Sequence, residues 1–369
     1  MIPAYIKKRL IEDDLSIGKT KGNFSVPKYN VKNYYKDIAT ENYFHALLIL
    51  RQYIRLVSDY YLGAKLRSTS VDLFMLTPSI SSPMGPGSDS EAINIKFGNL
   101  ETFLVDSSQF GFEPILLNNF NRVYCYLPSM RGENPDKRHI NQFFHCELEM
   151  IGTLNELRPI IEGYIKILCE TILLMENVVD KISKNNKQTK KILKKVINSK
   201  KFFEIDFEEA INILIKNKKE KYINFEKKGR DISSAGELEL MKILKVDTPI
   251  WIKNFDRDRV PFYQKPYLEN KTINADFLFP PIIKKGFGGE IVGSGQRQDN
   301  PEEMYQSLER QNISSTPYEW YIDLRRMKDY KKTSGFGIGI ERFIAWTLGK
   351  EDIKDVIPYP RLKNIKSLP

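Results

Sequence analysis

The sequence predicts an α+β fold in which a mainly antiparallel sheet is flanked by helices. Short apolar runs typical of strands cluster in the middle and in the last third of the chain, and helical segments flank them without a regular strand–helix–strand alternation. The chain has 369 residues, 41% of them hydrophobic, which is enough for a large domain with a sizeable core.

The first elements predicted are a short extension and a long helix. Residues 1–40 are mixed polar and aromatic, and Gly18, Gly22 and Pro27 interrupt any long period. We therefore expect an N-terminal extension that is too small for a core of its own. From residue 41 to about residue 66, apolar residues recur at helical spacing and predict one long amphipathic helix.

A strand, a loop and a series of short strands follow. Residues 71–80 predict a strand that stops at Pro78, because proline lacks the N–H that strand pairing needs. The Pro-, Gly- and Ser-rich residues 81–91 predict a loop. Four further strand-like runs lie at 93–97, 102–106, 122–128 and 141–150.

The second half of the chain predicts helices first and mixed elements later. Residues 156–185 predict helix, and the lysine-rich stretch at about 181–230 predicts a helical insertion. Strands are predicted at 249–255, 273–279 and 289–294, and helices at 301–311, 318–326 and after the glycine-rich start of 334–349. We expect residues 41–369 to form a single domain.

Charge and cysteine content exclude several classes of protein. The net charge is +10, but much of the excess lies in residues 181–201, and such a lysine run is more typical of a solvated helix face than of a nucleic-acid site. No run approaches the roughly 18 to 20 apolar residues of a membrane span. The N-terminus lacks a secretory signal, and the three cysteines show no metal spacing. We expect a soluble cytoplasmic protein that does not bind membranes.

Residues 129–150 contain a cluster of side chains suited to a nucleotide. They predict two antiparallel strands joined by a charged loop, with Arg131 at the end of the first strand and Phe143 and Phe144 on opposite sides of the second. An arginine fork can bind phosphate or carboxylate oxygens, and a phenylalanine face can stack on a purine. A surface hairpin with ordinary ion pairs is the alternative.

Two further segments add to this pattern. Three alternating glycines, Gly335, Gly337 and Gly339, leave one strand face bare for a flat ligand, and Arg342 follows in the first turn of a helix. Asp276 and Glu290 lie on neighbouring strand-like segments and could hold magnesium against a triphosphate. A paired structural role for these two carboxylates is the alternative.

Together these segments resemble the class II aminoacyl-tRNA synthetases, specifically the aspartyl/asparaginyl subgroup. Residues 41–78 resemble motif 1 of that family, a helix and a strand ending in proline. MRGENPDKRHINQFFHCELE resembles motif 2, with Gln142 in place of the usual glutamate. Residues 335–342 resemble motif 3, GxGxGxER. The resemblance covers residues 41–369.

The resemblance implies that ATP and Mg²⁺ are the cofactors and assigns residues to them. Arg131 would bind the α-phosphate and the reacting carboxylate, Phe143 would stack on adenine, and Arg342 would cover the adenine and the terminal phosphate. Arg131 and Arg342 are therefore the predicted catalytic residues, and Asp276 and Glu290 the predicted magnesium ligands. The predicted ATP site comprises Arg131, Glu133, Arg138, His139, Phe143, Gly337, Gly339 and Arg342.

The resemblance also suggests which amino acid is bound. Gln109 matches a glutamine that contacts the substrate amino group, and Phe112 stands where aspartate-specific members have a lysine. Glu113 matches a glutamate that accepts from a carboxamide, and Arg326 matches an arginine that binds the side-chain carbonyl. An acceptor and a donor facing one amide favour asparagine over aspartate.

Some features leave the substrate open to a relative of asparagine. Asp106 stands where a neutral residue is usual, and the family's histidine before motif 3 is replaced in YKKTSGFG. The loop at 81–91 resembles the family's flexible lid, and Glu91 in it is a further candidate contact for the amino group.

The expected reaction is ATP-dependent activation of asparagine, or a close analogue, as an aminoacyl adenylate. The 40 residues before the first long helix are fewer than an anticodon-binding barrel needs, so a small-molecule amine or another non-tRNA acceptor is slightly favoured. The alternatives are an asparagine–tRNA ligase without an anticodon domain, an asparagine synthetase that amidates aspartate, and a non-catalytic regulator. We expect a homodimer formed through the motif 1 helix.

Overall fold

The computed structural model describes residues 2–81, 91–226 and 229–368. The α-helices in these ranges are α1 (Ala4–Lys19), α2 (Tyr34–Thr40), α3 (Asn42–Ser58), α4 (Gln109–Leu117), α5 (Leu154–Leu174), α6 (Glu176–Ile182), α7 (Asn186–Asn198), α8 (Phe207–Lys216), α9 (Ser234–Ile243), α10 (Pro301–Arg310), α11 (Glu319–Asp323) and α12 (Ile340–Leu348). None of these helices is long and apolar enough to cross a lipid bilayer.

The strands are shorter and more numerous than the helices. They are β1 (Thr69–Ser70), β2 (Leu76–Thr77), β3 (Asn94–Phe97), β4 (Leu100–Leu104), β5 (Arg122–Met130), β6 (Gln142–Ile151), β7 (Phe203–Asp206), β8 (Ile223–Glu226), β9 (Gly229–Ile232), β10 (Ile250–Lys253), β11 (Pro266–Tyr267), β12 (Lys271–Thr272), β13 (Asn274–Phe279), β14 (Gly289–Gln296) and β15 (Thr333–Gly339).

A sheet of eight strands forms the centre of the fold. Its order is β1-β5-β6-β15-β14-β13-β10-β7. The six inner strands pair antiparallel, and the edge strands β1 and β7 each pair parallel with their neighbour. The predicted α+β class with a mainly antiparallel sheet is therefore confirmed.

The two faces of the central strands have different surroundings. Phe336 and Ile338 of β15 and Leu148 of β6 are fully buried in the main core. On this side α5 contacts β14 and β15, and α12 contacts β6. Because side chains alternate along a strand, Gly335 and Gly337 lie on the opposite face. That second face carries the candidate site.

The predicted long helix is present as α3. Its buried side chains recur every three or four residues, at Tyr43, Leu47, Leu50, Ile54 and Val57, as an amphipathic helix requires. The helical path continues through a π-helical segment, Asp59–Lys65. The strand predicted at 71–80, in contrast, is wrong for most of its length. Only β2 lies within those residues, because Leu73 and Met75 pack against the cluster around α4 instead.

The predicted N-terminal extension contains a helix that packs into the main core. Ile6, Leu10 and Ile17 of α1 are buried there. The Asp14 carboxylate accepts hydrogen bonds from the backbone N–H groups of Asn177 and Val178, at 3.1 and 2.9 Å, and so caps α6. Charged residues separate the few apolar positions of α1, which is why its sequence showed no clear period.

The segment at about 181–230, predicted to be helical throughout, is mixed. It contains α7 and α8, but β7 lies between them and pairs with β10 at the edge of the main sheet. Strands β8 and β9 then pair with each other at its end. The strand signal at β7 is the alternation of exposed Phe203 with buried Ile205, which the surrounding lysines obscured.

Candidate active site

Two adjoining cavities lie on the face of the central strands that α5 does not cover. The large cavity has a volume of about 630 Å³ and the small cavity about 130 Å³. Five residues line both: Arg131, His139, His145, Glu290 and Gly337. A ligand can therefore extend from one cavity into the other.

All the residues predicted to bind ATP line the small cavity. They are Arg131, Glu133, Arg138, His139, Phe143, Gly337, Gly339 and Arg342. The Arg131 guanidinium lies over the Phe143 ring, 5.4 Å from its centroid. Arg342, in the first turn of α12, donates to the Glu290 carboxylate at 3.1 Å. The structure thus brings two guanidinium groups and an aromatic ring to one cavity, as the sequence predicted.

The β5–β6 hairpin fixes the position of Arg131. Phe143 pairs with Ser129, two residues before Arg131, so the arginine and the ring lie near each other at the hairpin end. The Asn141 side-chain amide donates to the carbonyl oxygens of Arg131 and Glu133, at 2.8 and 2.7 Å. The Arg131 Nε is buried and has no hydrogen-bond partner among the described residues. A buried donor without a partner costs free energy, and a bound anion would supply the missing acceptor.

The alternating glycines of β15 make room for carboxylates as well as for a ligand. Gly335 and Gly337 pair with Glu149 and Glu147 of β6. A Cβ atom placed on Gly337 would lie 3.0 Å from Glu147 Oε1, and one placed on Gly335 would collide with the Glu149 carboxylate. The Glu147 and Glu149 side chains therefore occupy part of the space that the glycines leave open on this strand face.

Arg138 and His139 form a further side of the small cavity. The Arg138 guanidinium lies 4.6 Å from the centroid of the Phe287 ring and donates to the carbonyl oxygen of Gly288. His139 Nδ1 lies 3.0 Å from Asp136 Oδ1. Burial, reinforced by the charge of Arg342, lowers the pKa of His139. The histidine therefore contributes a neutral ring at pH 7.

The two predicted magnesium ligands lie close together around Gly293. A Cβ atom placed on Gly293 would lie 3.3 Å from Glu290 Oε1 and 3.7 Å from Asp276 Oδ1. Burial and then the neighbouring charge of Glu290 raise the pKa of Asp276 well above its ordinary value. A divalent cation would neutralise this repulsion, so the donor set fits magnesium.

A third acid beside this pair was not predicted from the sequence. Glu237 of α9 accepts a hydrogen bond from the Glu290 backbone N–H at 3.0 Å and lies 3.9 Å from Arg138. Burial raises the pKa of Glu237 to about 7. Within the described ranges no three His, Cys, Asp or Glu side chains form a preassembled metal site. Magnesium commonly binds through one or two carboxylates and the substrate phosphates, which matches this arrangement.

Of the predicted amino-acid contacts, the structure brings Gln109 to the large cavity and does not bring Glu113 there. Gln109 lines the cavity at the start of α4. Glu113, one turn later, is 1% exposed and lies 2.6 Å from Arg325. The hydroxyls of Tyr321 and Tyr330 also donate to its carboxylate. These partners occupy the Glu113 oxygens, so the assignment of Glu113 to the substrate carboxamide is not supported.

Arg326 and Glu91 lie elsewhere on the surface. The Arg326 side chain is 48% exposed and pairs with Asp323, because the neighbouring Arg325 is the one that turns inward from the 3₁₀ turn. Glu91 is 59% exposed and pairs with Lys363 at 2.9 Å. Neither lines the large cavity. The lid predicted at 81–91 lies, for residues 82–90, outside the described residues.

Several residues at or next to the large cavity were not indicated by the sequence. Glu147 accepts from the Ser107 hydroxyl at 2.8 Å and from the Ser108 backbone N–H at 2.6 Å. Arg297 binds Glu149 through two hydrogen bonds, at 2.9 and 2.7 Å. The signal for Glu147 and Glu149 was the alternation in ELEM after Phe143, which places all three side chains on one strand face.

Two positions at which the sequence departs from the family pattern also lie at or near the large cavity. Asp106 lines the large cavity and accepts from the Ser81 backbone N–H and hydroxyl, at 3.1 and 2.8 Å. Thr333, in the segment YKKTSGFG, is 1% exposed at the start of β15. The large cavity and its surroundings are therefore rich in hydrogen-bonded acids and hydroxyls.

Comparison with known proteins identifies the family. The family described as tRNA synthetases class II (D, K and N) matches residues 29–363. An asparagine–tRNA ligase of Mycoplasma genitalium is 32% identical over 277 residues, which are 72% of this chain and 59% of the relative. One from Acholeplasma laidlawii is 33% identical over 253 residues, which are 67% of this chain and 52% of the relative. The chain thus spans less than two thirds of these relatives.

Solved structures show the same fold. An asparaginyl-tRNA synthetase from Pyrococcus horikoshii, complexed with asparaginyl-adenylate, superposes with a TM-score of 0.77 at 24% identity and covers 90% of this chain and 71% of that one. The Entamoeba histolytica asparaginyl-tRNA synthetase, also complexed with asparaginyl-adenylate, gives 0.73 at 22% identity, covering 93% and 74%. The chain belongs to the class II tRNA synthetases of the D, K and N family.

Proposed function

We propose that the protein activates asparagine with ATP to form asparaginyl adenylate and transfers the asparaginyl group to a tRNA. The observation that carries the proposal is the small cavity, in which all eight side chains and glycines assigned to ATP come together beside a larger polar cavity. The curated relatives are asparagine–tRNA ligases, which supports the same reaction for this chain.

The geometry suits an in-line displacement at the α-phosphorus. The asparagine carboxylate forms a bond to that phosphorus while the bond to pyrophosphate breaks. Arg131, beside Phe143 and with an unpaired buried Nε, neutralises charge on the α-phosphate and orients the carboxylate. Phe143 holds the adenine by stacking, and Arg342 binds the distal phosphate. No protein nucleophile is required.

Magnesium would be held by Asp276 and Glu290 together with the phosphates. Bound there, it would withdraw negative charge from the leaving pyrophosphate. Glu237 keeps Glu290 in place through the hydrogen bond from the Glu290 backbone N–H and stays close to Arg138. Without a cation the same three acids repel one another, and burial together with the charges of Glu290 and Glu237 raises the pKa of Asp276.

The charges around the large cavity favour asparagine over aspartate. Arg297 lines this cavity, but its guanidinium is already neutralised by two hydrogen bonds to Glu149. At Arg297 a second carboxylate, from an aspartate side chain, would therefore meet a cation that is already compensated. A carboxamide needs only hydrogen-bond partners, and the Gln264 Oε1 is buried without one among the described residues. Gln109 and Glu147 line this cavity, and we assign them to the substrate ammonium group.

The comparisons favour tRNA over a small-molecule amine as the acceptor. The sequence alone slightly favoured a non-tRNA acceptor, on the argument that an anticodon-binding barrel would not fit before residue 41. The curated relatives act on tRNA according to their names, and the chain matches 59% of the first of them. The acceptor assignment therefore rests on these relatives, and the adenylation step on the cavity itself.

Amino-acid-dependent exchange of labelled pyrophosphate into ATP tests the adenylation step. We expect exchange with asparagine and at least about 100-fold less with aspartate, because unpaired groups penalise the wrong side chain. Arg131→Ala should lower the exchange rate by about 100-fold or more. Arg55→Ala is the matched control, because Arg55 is 46% exposed, pairs with Asp59 on the same helical segment and lines neither cavity.

Three outcomes would change the proposal. Exchange with no amino acid would remove the adenylation step and support a regulatory role. Exchange with aspartate but not asparagine would overturn the charge argument about Arg297. Exchange with asparagine but no transfer to tRNA, measured as acid-precipitable labelled asparagine, would restore a small-molecule acceptor.

A further inference from the structure

His145 occupies the junction of the two cavities. It lies on the same face of β6 as Phe143 and Glu147, midway between the residue assigned to the base and the residue assigned to the amino acid. Its ring meets the Phe143 ring edge-on, with centroids 4.7 Å apart and planes at 87°. It lines both cavities. An adenylate spanning the two cavities must therefore pass over His145.

Hydrogen bonding at one ring nitrogen determines where the proton lies. His145 Nδ1 is 2.9 Å from the Ser129 hydroxyl and 3.4 Å from Glu147 Oε1. Ser129 is fully buried, and among the described residues its hydroxyl has no other acceptor. If Nδ1 carried the proton, the Ser129 hydroxyl would be left as a buried unsatisfied donor, which is costly. The favoured arrangement has Ser129 donating to Nδ1 and the proton on Nε2.

The charges around the ring keep it neutral. Burial, followed by the charges of Arg131 and Arg342, lowers the pKa of His145 well below its ordinary value. Glu147, at 3.4 Å, does not reverse this effect, and its own oxygens already accept hydrogen bonds from Ser107 and Ser108. His145 Nε2 makes no hydrogen bond within the described part of the protein. A neutral N–H donor is thus available to a ligand.

We propose that His145 contacts the nucleotide directly, donating its Nε2–H to an oxygen of the ribose–phosphate unit that joins the base to the reacting phosphorus. The inference rests on the proposed function for the identity of the nucleotide. Arg131 supplies the positive charge at this position, and His145 adds a directional, uncharged hydrogen bond beside it. It also supports the edge of the Phe143 ring, so it links the positions of the base and the phosphate.

Calorimetric binding of ATP with Mg²⁺, in the absence of any amino acid, tests this contact. His145→Phe keeps an aromatic ring against Phe143 but has no N–H, and we expect its dissociation constant for ATP to rise about 10- to 100-fold. His145→Gln places an amide N–H at a similar distance from the backbone, and we expect binding within about fivefold of the wild type. Thermal unfolding of both variants checks that each is folded at the temperature of the measurement.

The outcomes separate this inference from the proposed function. Equal binding by wild type and His145→Phe would overturn the contact. An equal loss in both variants would also overturn it, since the N–H donor supplied by His145→Gln would then not restore binding. ATP binding by the wild type without amino-acid-dependent exchange would remove the proposed function while the two variants still decide the role of His145. Absence of ATP binding by the wild type would overturn both.

Discussion

Phe143 and Phe144 are neighbours on β6 with different surroundings, and their comparison tests the stacking role. Phe143 lines the small cavity, whereas Phe144 packs against Tyr126 and under Arg51 on the other side of the sheet. We expect Phe143→Leu to raise the KM for ATP in the exchange reaction about tenfold, since stacking on a base contributes about 1–3 kcal/mol. Its kcat should change by less than about threefold.

Phe144→Leu is the matched control for that measurement. It removes the same atoms from the same strand, and we expect it to lower the free energy of unfolding by about 1–2 kcal/mol while leaving the KM for ATP within about twofold. A larger rise in KM from Phe144→Leu than from Phe143→Leu would show that the base does not lie on Phe143.

Glu237 gives the stability of the protein a defined dependence on pH. Burial raises its pKa from an ordinary value of 4.5 to about 7 in the folded state. Between these two values the folded protein binds more protons than the unfolded protein, so this group stabilises the fold at low pH and loses that effect as the pH rises towards 7. By denaturant unfolding at pH 5 and pH 8, we expect Glu237→Gln to reduce the loss of stability between them by about 2 kcal/mol.

Glu239, two residues further along α9, is the control for this pH dependence. Lys219 lies 2.8 Å from Glu239 and lowers the pKa of this carboxyl group. Glu239→Gln should therefore cost nearly the same stability at pH 5 and at pH 8, because both values lie above the ordinary pKa of 4.5. An equal reduction of the pH-dependent loss by both variants would show that burial does not govern Glu237.

At the scale of elements, residues 181–201, which include α7, account for most of the net charge, and α7 lines neither cavity. Residues 181–201 contain nine lysines and no acid, against a net charge of +10 for the whole chain. Ile192, Leu193 and Val196 of α7 are buried, and the helix packs against α5 and α12. Since α5 covers the face of the sheet opposite the cavities, α7 is separated from the two cavities, where the proposed function would place the acceptor end of a tRNA.

We therefore expect the lysines of α7 to be solvated and dispensable for tRNA binding. Lys187→Gln with Lys194→Gln removes two exposed charges, and filter retention of tRNA should change by less than about twofold. Lys190→Gln with Lys195→Gln, which removes the partners of Asp180 and Asp247 on the same helix, is the control. The slope of log affinity against log salt concentration gives the opposing outcome. If its magnitude fell by about two for Lys187→Gln with Lys194→Gln but not for the control pair, these two lysines would contact phosphates.

Elements with a complete local pattern were the ones the sequence predicted correctly. The period of α3, the turn between β5 and β6 and the glycines of β15 are all visible in short windows, and these same segments carry the residues of the small cavity. Elements that depend on distant partners were missed or misjudged. Helix α1 is held by the main core, β7 by pairing with β10, and residues 71–75 by packing around α4.

At the scale of the whole molecule, the same distinction separates the two ends of the site. The small cavity is lined mainly by short segments with a fixed internal spacing, so its lining residues could be predicted. The large cavity and its surroundings depend on which acid meets which arginine across the fold. Glu113 pairs with Arg325, and Glu149 pairs with Arg297. Glu149 and Arg297 are 148 residues apart in sequence. No local sequence pattern specifies pairs of this kind. Glu237 was missed for the same reason.

The homodimer, expected from the sequence through the motif 1 helix α3, is a further property of the whole molecule, and exposed apolar side chains of the small sheet offer an alternative surface for it. Phe74 is 88% exposed, Phe97 67% and Leu100 58%, and all three lie in or next to the small sheet formed by β2, β4 and β3. Large exposed apolar side chains on one small sheet are candidate positions for an interface. Because a two-fold interface contains each residue twice, Phe74→Asp with Phe97→Asp would place four carboxylates in it.

We expect sedimentation velocity to show a dimer for the wild type and a monomer for this double variant at micromolar concentration, with a far-UV spectrum unchanged. Leu268→Asp is the control, because Leu268 is 72% exposed on the connection between β11 and β12 and its substitution should leave the dimer intact. If the double variant remained dimeric, the interface would have to lie elsewhere, and the exposed Leu48 of α3 would be the next position to substitute. A wild type that sediments as a monomer would contradict the dimer itself.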